Sequence, residues 1–183
     1  TVNEIFAKRL RGEAVTDEEA DAYTTYVFLR LCEKYYDLGW AVQIHIGAMR
    51  NNNTAMFERL GPDTGYDSVY ASNYAEQLSR LLDSLAKENK LPKTILYTLN
   101  PSDNYVLATM LGNFAADVRG KMQFGSAWWF CDHIEGMTRH FRELASIGAA
   151  GTFIGMLTDS RSLLSYPRHE YFRRIICDII GGW

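Results

Sequence analysis

Two residues that could carry chemistry directly follow or end short apolar segments of the sequence. His45 lies near the end of WAVQIHI, and Asp159 follows GTFIGML and a threonine. An imidazole can act as a metal ligand or a general base, and a carboxylate can bind a metal or move a proton. Each also has a structural alternative, because a partly buried histidine is often only packed and an aspartate before Ser-Arg is common in turns. Taken singly, the two residues leave both interpretations open.

Two arginines and two tryptophans occupy comparable places in the sequence. Arg50 and Arg161 each lie shortly beyond such a segment, where a guanidinium could bind a substrate carboxylate or form a surface ion pair. Trp128 and Trp129 are bulky anchors that could equally belong to the core. The charged run 168–174 is interpreted as a solvated helix face without function.

These residues need elements that bring them together, and the sequence alternates between β-rich segments and helices. A capping box at Thr16–Glu19 opens a leading helix that ends before Gly39. The β-rich segments are residues 40–46, 94–99, 122–127 and 152–157. The helices that follow them are predicted at about 72–88, 103–118, 132–147 and from Pro167 onwards, with a second capping box at Asp132 and an extra loop at 51–70. This order predicts an α/β fold with a parallel sheet.

The first strand indicates which side of the sheet holds a site. Alternate residues from Trp40 to Ile46 are apolar, whereas the opposite face carries Gln43 and His45. Apolar residues towards outer helices and polar residues inside are typical of a (β/α) barrel strand, and barrel active sites lie at the C-terminal strand ends. Four strands cannot close an eight-stranded barrel. The chain is therefore either half a barrel or an open doubly wound sheet, which here lacks its usual glycine-rich motif.

Longer segments resemble the uronate isomerase family, also called glucuronate isomerase. They are IHIGAMRNNN (44–53), TILYTLNP (94–101), GSAWWFCDHIEGM (125–137) and TDSRSLLSYPRHEYFRRI (158–175). The family is a divergent branch of the amidohydrolase superfamily of (β/α)8 barrels. The resemblance implies the C-terminal half of a (β/α)8 TIM barrel, with strands five to eight. It also implies one partial domain over 1–183, with leading helices at 1–39 and four β/α units at 40–183.

The resemblance assigns catalytic and metal-binding roles to three residues. Asp159, in the DSRS motif, corresponds to an aspartate that binds the metal and takes part in proton transfer. Arg161 corresponds to an arginine that engages the uronate. His45 matches a strand-five histidine that is a usual metal ligand in the superfamily. The family's His-x-His pair of strand one has no counterpart in this sequence.

The resemblance also places four residues at the substrate. Trp128 or Trp129 corresponds to a tryptophan that lines the sugar pocket. Arg50 and Asn52 share the motif of the strand-five histidine, so they are expected in or beside that pocket as substrate-binding residues. Many hydrolases of the superfamily carry a histidine at the end of strand six, where this chain has the segment 99–101, Leu-Asn-Pro. That difference favours an isomerase with a single metal.

The activity implied by the resemblance is aldose–ketose isomerisation. The expected reactions interconvert D-glucuronate with D-fructuronate and D-galacturonate with D-tagaturonate, assisted by a divalent metal, with Zn expected and no organic cofactor. We expect the chain to be inactive alone, since a catalytic zinc needs about three protein ligands and the sequence offers two. The alternatives are a metal-dependent hydrolase or deaminase of the same superfamily, and a non-catalytic half-barrel module.

Composition limits the remaining classes of partner. The 183 residues are 47% hydrophobic and carry a net charge of −3, which excludes a disordered chain and argues against nucleic acid or an anionic membrane as the main partner. The longest apolar stretch, 149–157, is too short to span a bilayer. Three cysteines without metal-type spacing suggest a cytoplasmic location. The expected partners are a small hexuronate and, because the sheet edges are open, another copy of the chain or the missing N-terminal half.

Overall fold

The computed structural model describes residues 1–115, 118–160 and 162–183, and helices alternate with strands along most of them. The helices are α1 (Val2–Leu10), α2 (Asp17–Asp37), α3 (Thr54–Leu60), α4 (Ala75–Lys87), α5 (Asn104–Asn113), α6 (Ile134–Ile147) and α7 (Arg168–Gly181). The strands are β1 (Ala41–Ile46), β2 (Ala48–Met49), β3 (Ser68–Val69), β4 (Lys93–Thr98) and β5 (Met122–Phe124). The α/β class predicted from the sequence is confirmed.

The main sheet has three parallel strands in the order β1-β4-β5. Its register sets His45 of β1 beside Tyr97 of β4, and Leu96 of β4 beside Phe124 of β5. Because the strands are parallel, their C-terminal ends lie at one edge of the sheet. The strands β2 and β3 form a separate antiparallel pair. β2 precedes the segment 51–70, which is predicted as an extra loop, and β3 lies near the end of that segment.

The predicted fourth strand, over residues 152–157, is not formed in the part of the chain that the structure describes. Ala150–Thr152 is instead a 3₁₀ turn, and residues 153–160 are extended or irregular without a strand ladder. Gly155 has φ +89°, a left-handed conformation that interrupts the pleat of a strand. The apolar residues of this segment are only partly buried in this chain, since Met156 is 7% exposed and Ile154 is 50% exposed.

Helix caps follow the sequence signals in one case and depart from them in another. At α2 the predicted capping box is formed, with the Thr16 hydroxyl accepting from the Glu19 amide and Glu19 accepting from the Thr16 amide. At α6 the predicted box at Asp132 is wrong, because His133 is the N-cap and its Nδ1 accepts from the Gly136 amide. None of the helices in the described ranges is both long and apolar enough to cross a membrane.

The main core lies between the sheet and the helices packed on one of its faces. The helix α4 buries every third or fourth residue, as an amphipathic helix on a core does. The buried members of this core include Leu78, Leu82, Leu85, Leu96, Leu107, Phe124 and Leu144. Each such side chain contributes about 1.5–3 kcal/mol of transfer free energy. A smaller apolar cluster joins the segment after β5, α6 and α7, through Ala127, Cys131, Met137, Met156 and Phe172.

His140 of α6 is a buried imidazole in this packing. It is 4% exposed and lies between the rings of Phe124 and Phe153, at centroid distances of 4.1 and 5.8 Å. Burial lowers the pKa of His140 from 6.5 to about 4. The unfolded chain therefore binds this proton more tightly than the folded chain. Above about pH 6.5, where His140 is neutral in both states, the free energy of unfolding carries no penalty from this residue. As the pH falls towards 4, the free energy of unfolding decreases by up to about 3 kcal/mol.

We expect a His140→Leu variant to lose this pH dependence. Its free energy of unfolding should fall less steeply than that of the parent protein between about pH 6.5 and 4, by up to about 1.4 kcal/mol per pH unit. Urea unfolding at several pH values measures the difference. His133→Asn is the matched control, because it removes an exposed imidazole and keeps a side chain that can cap α6. Equal slopes for His140→Leu and the parent would contradict the prediction.

Candidate active site

His45 and Asp159 meet at the C-terminal edge of the sheet. The Nε2 atom of His45, near the end of β1, lies 3.8 Å from Oδ2 of Asp159, which follows the irregular segment 153–158. The two side chains are 31% and 59% exposed, so the pair is accessible from solvent. The sequence interpretation that these residues share one rim of the sheet therefore agrees with the observed geometry. Their chemical roles stay predictions.

The imidazole of His45 is held by two aromatic rings. It stacks on Tyr97, with ring centroids 4.5 Å apart and planes at 4°, and it meets the edge of Trp128 at 4.6 Å. Partial burial lowers the pKa of His45, and the carboxylate of Asp159 opposes that change. The ring is therefore held in one orientation and is mostly neutral near pH 7. A neutral imidazole can accept a proton or bind a metal.

Tyr97 can lie under His45 because residue 125 has no side chain. A Cβ atom on Gly125 would stand 2.1 Å from the Tyr97 ring. Tyr97 is 1% exposed, and its hydroxyl has no hydrogen-bond partner among the described residues. Burial, and then the charge of Asp159, raises the pKa of Tyr97, so the phenol stays protonated. The sequence analysis missed both residues, although an in-register pairing of the first two strands would have placed Tyr97 beside His45.

An open cleft of ≈ 550 Å³ lies beside the pair. It is lined by Arg50, Trp128, Trp129, Thr158, Asp159, Ser160 and Arg168. Four predicted site residues are therefore brought together here, and both tryptophans contribute to the wall. Another cavity, of ≈ 350 Å³, lies at the opposite end of β5, and its described lining contains no histidine or carboxylate. Of these two cavities, only the larger is lined by residues to which the sequence analysis assigned chemistry.

The guanidinium of Arg50 is held over the ring of Trp129. Its Cζ atom is 5.0 Å from the ring centroid, a cation–π distance. Asp63 forms an ion pair with Nη2, and Oδ1 of Asp67 lies 3.7 Å from Nε. Asp67 also accepts a 2.8 Å hydrogen bond from the amide of Asn51, and its side chain is only 4% exposed. Buried Asp67 therefore fixes the loop that presents Arg50.

Asn52 is not among the residues that line the cleft. The Asn52 side chain donates to the carbonyl of Met49 and to the hydroxyl of Ser68, both at 3.0 Å, so its amide holds the β2–β3 pair together. Both hydrogen bonds lie within this loop region, and the substrate-binding role of Asn52 stays a prediction. Arg161 lies outside the described residues, so the role predicted for it stays a prediction from the sequence.

Arg168 is the cleft residue that the sequence analysis interpreted wrongly. Instead of facing solvent on α7, it lines the cleft, with a side chain that is 22% exposed. Its Nη1 donates to the carbonyl of Thr158 at 2.9 Å, and its Nη2 forms an ion pair with Asp132. The Tyr171 hydroxyl donates to the same carboxylate. The only signal in the sequence was Pro167, which starts α7 and so puts Arg168 in its first turn.

Strained backbone accumulates around the cleft. Of the described residues other than glycine, Asn51, Asp63, Asn89, Trp129 and Asp159 have positive φ. Trp129 and Asp159 line the cleft, at φ 50° and 43°, and Asn51 adjoins Arg50 at φ 54°. Residues held in such sparsely populated conformations cost about 1–3 kcal/mol each, and they cluster at functional sites. The surrounding contacts must therefore supply the energy that keeps these residues in place.

His45 and Asp159 offer part of a metal-binding set. An imidazole nitrogen and a carboxylate oxygen are ligands that suit zinc and related divalent ions, and both converge on one point. No group of three His, Cys, Asp or Glu side chains with suitable geometry occurs within residues 1–115, 118–160 and 162–183. The pair alone is therefore an incomplete ligand set for such an ion.

Comparison with known proteins places the whole chain in one family. A sequence profile described as glucuronate isomerase (UxaC) matches residues 1–183. The chain is 58% identical to the uronate isomerase of Clostridium acetobutylicum over 183 residues, which is 100% of this chain and 39% of that protein. It is 57% identical to the uronate isomerase of Halalkalibacterium halodurans over 180 residues, covering 98% of this chain and 38% of that protein.

Solved structures give the same result. The uronate isomerase of Thermotoga maritima superposes with a TM-score of 0.86 at 32% identity, covering 99% of this chain and 39% of that one. The glucuronate isomerase of Caulobacter crescentus superposes with a TM-score of 0.83 at 27% identity, covering 99% of this chain and 38% of that one. The chain thus spans about two fifths of the length of the relatives that it matches.

The contact between Gly125 and Tyr97 gives a direct test of the packing under His45. We expect Gly125→Ala to lower the free energy of unfolding by about 1–3 kcal/mol, because the new methyl group overlaps the Tyr97 ring. Gly112→Ala is the matched control, since Gly112 lies in α5 with open space around it and should gain about 0.5–1 kcal/mol. Urea unfolding compares the two. An unchanged free energy of unfolding for Gly125→Ala would contradict the prediction, because it would show that the Tyr97 ring can pack beside a side chain at residue 125.

Proposed function

The chain belongs to the glucuronate isomerase family, and we propose that the protein containing it is an aldose–ketose isomerase acting on hexuronates. The proposed reactions interconvert D-glucuronate with D-fructuronate and D-galacturonate with D-tagaturonate. The observation that carries the proposal is the placement of His45 Nε2 3.8 Å from Asp159 Oδ2 beside a cleft of ≈ 550 Å³. Because the chain covers 39% of its relatives' length, the activity is proposed for the longer protein.

The reaction moves hydrogen between C1 and C2 of the sugar without net oxidation, so it needs a group that holds and transfers a proton. We assign this role to the carboxylate of Asp159, which is accessible from the cleft. The carboxylate accepts the proton of the C2 hydroxyl and gives it to the oxygen on C1, while the hydrogen on C2 moves to C1. The C2 hydroxyl thereby becomes the ketone and the C1 aldehyde becomes the alcohol. The imidazole of His45 occupies one side of this carboxylate, so the substrate is expected on the side that faces the cleft.

The cleft residues suit an anionic sugar. Arg50 supplies positive charge at the wall, where the carboxylate of a uronate can pair with it. The rings of Trp128 and Trp129 offer apolar surface for the C–H groups of the sugar and limit the access of water. The family resemblance adds Arg161 as a second group that engages the uronate, an expectation drawn from its place in the DSRS motif.

We propose a divalent metal, with Zn expected, that His45 and Asp159 hold together with ligands from the rest of the longer protein. Such an ion supplies Lewis-acid polarisation of the substrate oxygens when it is bound. His45 contributes to this binding by presenting Nε2 in a fixed orientation, because Tyr97 and Trp128 restrain its ring. No organic cofactor is required, since the substrate and the product have the same oxidation level.

We propose that the chain is the C-terminal half of a (β/α)8 TIM barrel, with its segments at 41–46, 93–98, 122–124 and 153–157 as strands five to eight. The parallel sheet with helices on one face supports this assignment. On the other face of β1, Gln43 and His45 are exposed. Residues that face the interior of a barrel would be exposed in this way when the other half of the barrel is absent. The last segment would form a regular strand only between β5 and strand one of the preceding half.

The N-terminal half of the barrel, in the same protein, is the proposed partner of this chain. A homo-oligomer is the further expectation.

The remaining proposals concern the setting of the protein. The cysteines Cys32, Cys131 and Cys177 are free thiols, which supports a reducing compartment and hence the cytoplasm. The net charge of −3 argues against nucleic acid or an anionic membrane as partner, and a small anionic substrate would bind at the local positive charge of Arg50.

The proposal is tested with the full-length protein, supplied with Zn²⁺, on D-glucuronate and D-galacturonate. We expect keto-acid formation, followed by nuclear magnetic resonance, and no turnover of amide or ester substrates. Asp159→Asn should lower kcat by about 10²–10⁴, because the amide cannot transfer the proton. Asp178→Asn is the matched control, since this exposed aspartate of α7 lies outside the cleft. Hydrolysis without isomerisation would overturn the assignment in favour of a hydrolase.

The 183-residue chain alone should be inactive on both hexuronates and should bind Zn²⁺ weakly, because its described residues provide two converging ligands where about three are needed. Equilibrium dialysis against Zn²⁺ measures the binding, with the full-length protein as the reference. Tight binding of one ion per isolated chain would contradict the proposal that further ligands come from elsewhere.

A further inference from the structure

Asp159 lies on a segment that the sheet does not hold. Residues 153–160 have no strand ladder, and Asp159 itself has a left-handed backbone at φ 43°. Upstream, the amide of Ile154 donates to Oε1 of Gln123 at 3.1 Å. Nearer to Asp159, the carbonyl of Thr158 accepts from Arg168 at 2.9 Å. The hydrogen bond from Arg168 therefore restrains the peptide group that leads directly into Asp159.

Arg168 is itself fixed from the other side. Its guanidinium forms an ion pair with Asp132, whose side chain is only 9% exposed, and Tyr171 donates its hydroxyl to the same carboxylate. Charge-assisted hydrogen bonds of this kind are strong and directional when they are shielded from water. The ion pair joins α7 to the turn that follows Trp129, so it connects the tryptophan wall of the cleft with the segment that carries Asp159.

We propose that Arg168 is a positioning residue that sets the carboxylate of Asp159 opposite His45, with Asp132 as its anchor. The inference rests on the proposed isomerase function. It assigns Arg168 no contact with the substrate, because its Nη1 donates to Thr158, its Nη2 pairs with Asp132 and its Nε is buried. A planar guanidinium can donate to both partners at once. A lysine would keep the charge beside Asp132 and lose the hydrogen bond to the Thr158 carbonyl.

The test compares Arg168→Lys and Arg168→Gln with Arg173→Gln in the full-length protein. Arg173 lies on the same helix, exposed and outside the cleft, so its variant should retain parent activity. Loss of a residue that orients an active group costs about 10–100-fold in activity. We expect kcat to fall by that factor in both Arg168 variants, with KM within about 3-fold of the parent value. A purely structural charge pair would instead be rescued by lysine.

The kinetic outcomes separate positioning from its alternatives. A large rise in KM with unchanged kcat would overturn the inference, because it would make Arg168 a substrate ligand, and unchanged kinetics would overturn it as well. Asp132→Asn provides a second variant in case the Arg168 variants fail to fold. It should lower kcat in the same way, and its effect should not add to that of Arg168→Lys.

A crystal structure of the Arg168→Lys variant gives a readout that does not depend on activity. We expect the Asp159 carboxylate to move by about 1 Å or more relative to His45, an error that can cost about 10²-fold in rate. If the parent protein does not isomerise hexuronates, the proposed function fails, and this displacement still decides whether Arg168 positions Asp159. An unmoved Asp159 would overturn the inference whatever the reaction is.

Discussion

Parallel strands end at a common edge, and the pairing of β1, β4 and β5 is the constraint on which the cleft depends. The register places His45 beside Tyr97, and the next residue after β5, Gly125, leaves room for the tyrosine ring to lie flat. A shift of one residue in β1 would turn His45 to the helix-covered face of the sheet. The apolar alternation of β1 prevents that shift, since it would expose Val42 and bury Gln43. The core thus determines where the imidazole stands.

The two arginines at the cleft show how the same side chain can serve different ends. Arg50 is 44% exposed and lies across the face of Trp129, so part of its guanidinium can reach an anion in the cleft. Arg168 is half as exposed, and the nearly buried carboxylate of Asp132 pairs with it. Because exposed ion pairs are weakened by water, Arg50 can exchange an acidic partner for a ligand more readily than Arg168 can.

The sequence predicts those parts of the site that follow from strand ends. His45, Trp128 and Asp159 follow or end apolar segments, and adjacent parallel segments bring such positions to one edge. Arg168 could not be found in this way, since helical periodicity assigns a charged residue to solvent unless the neighbouring loop is known. The sequence places Tyr97 in an apolar strand and gives no sign of its role, because that role depends on the register with β1 and on the glycine opposite.

The fold was predictable to a similar degree. The α/β class and the Thr16 cap follow from local patterns, which act over a few residues. The segment 152–157 looks like a strand by composition, but its backbone turns at Gly155 and no described strand forms a ladder with it. Asp132 has the sequence of a helix cap, yet a distant arginine competes successfully for its carboxylate. Local signals fail where a long-range charge or an interrupted backbone decides the outcome.

The flat contact between Tyr97 and Gly125 has an evolutionary consequence. A Cβ atom at 125 cannot coexist with the present ring at 97, so drift at either site is conditional on the other. Among descendants of this sequence, a side chain at residue 125 should appear only after residue 97 has become smaller than tyrosine. Another side chain must then fill the space of the lost ring and support the imidazole of His45. The two positions should accordingly vary as a pair and not independently.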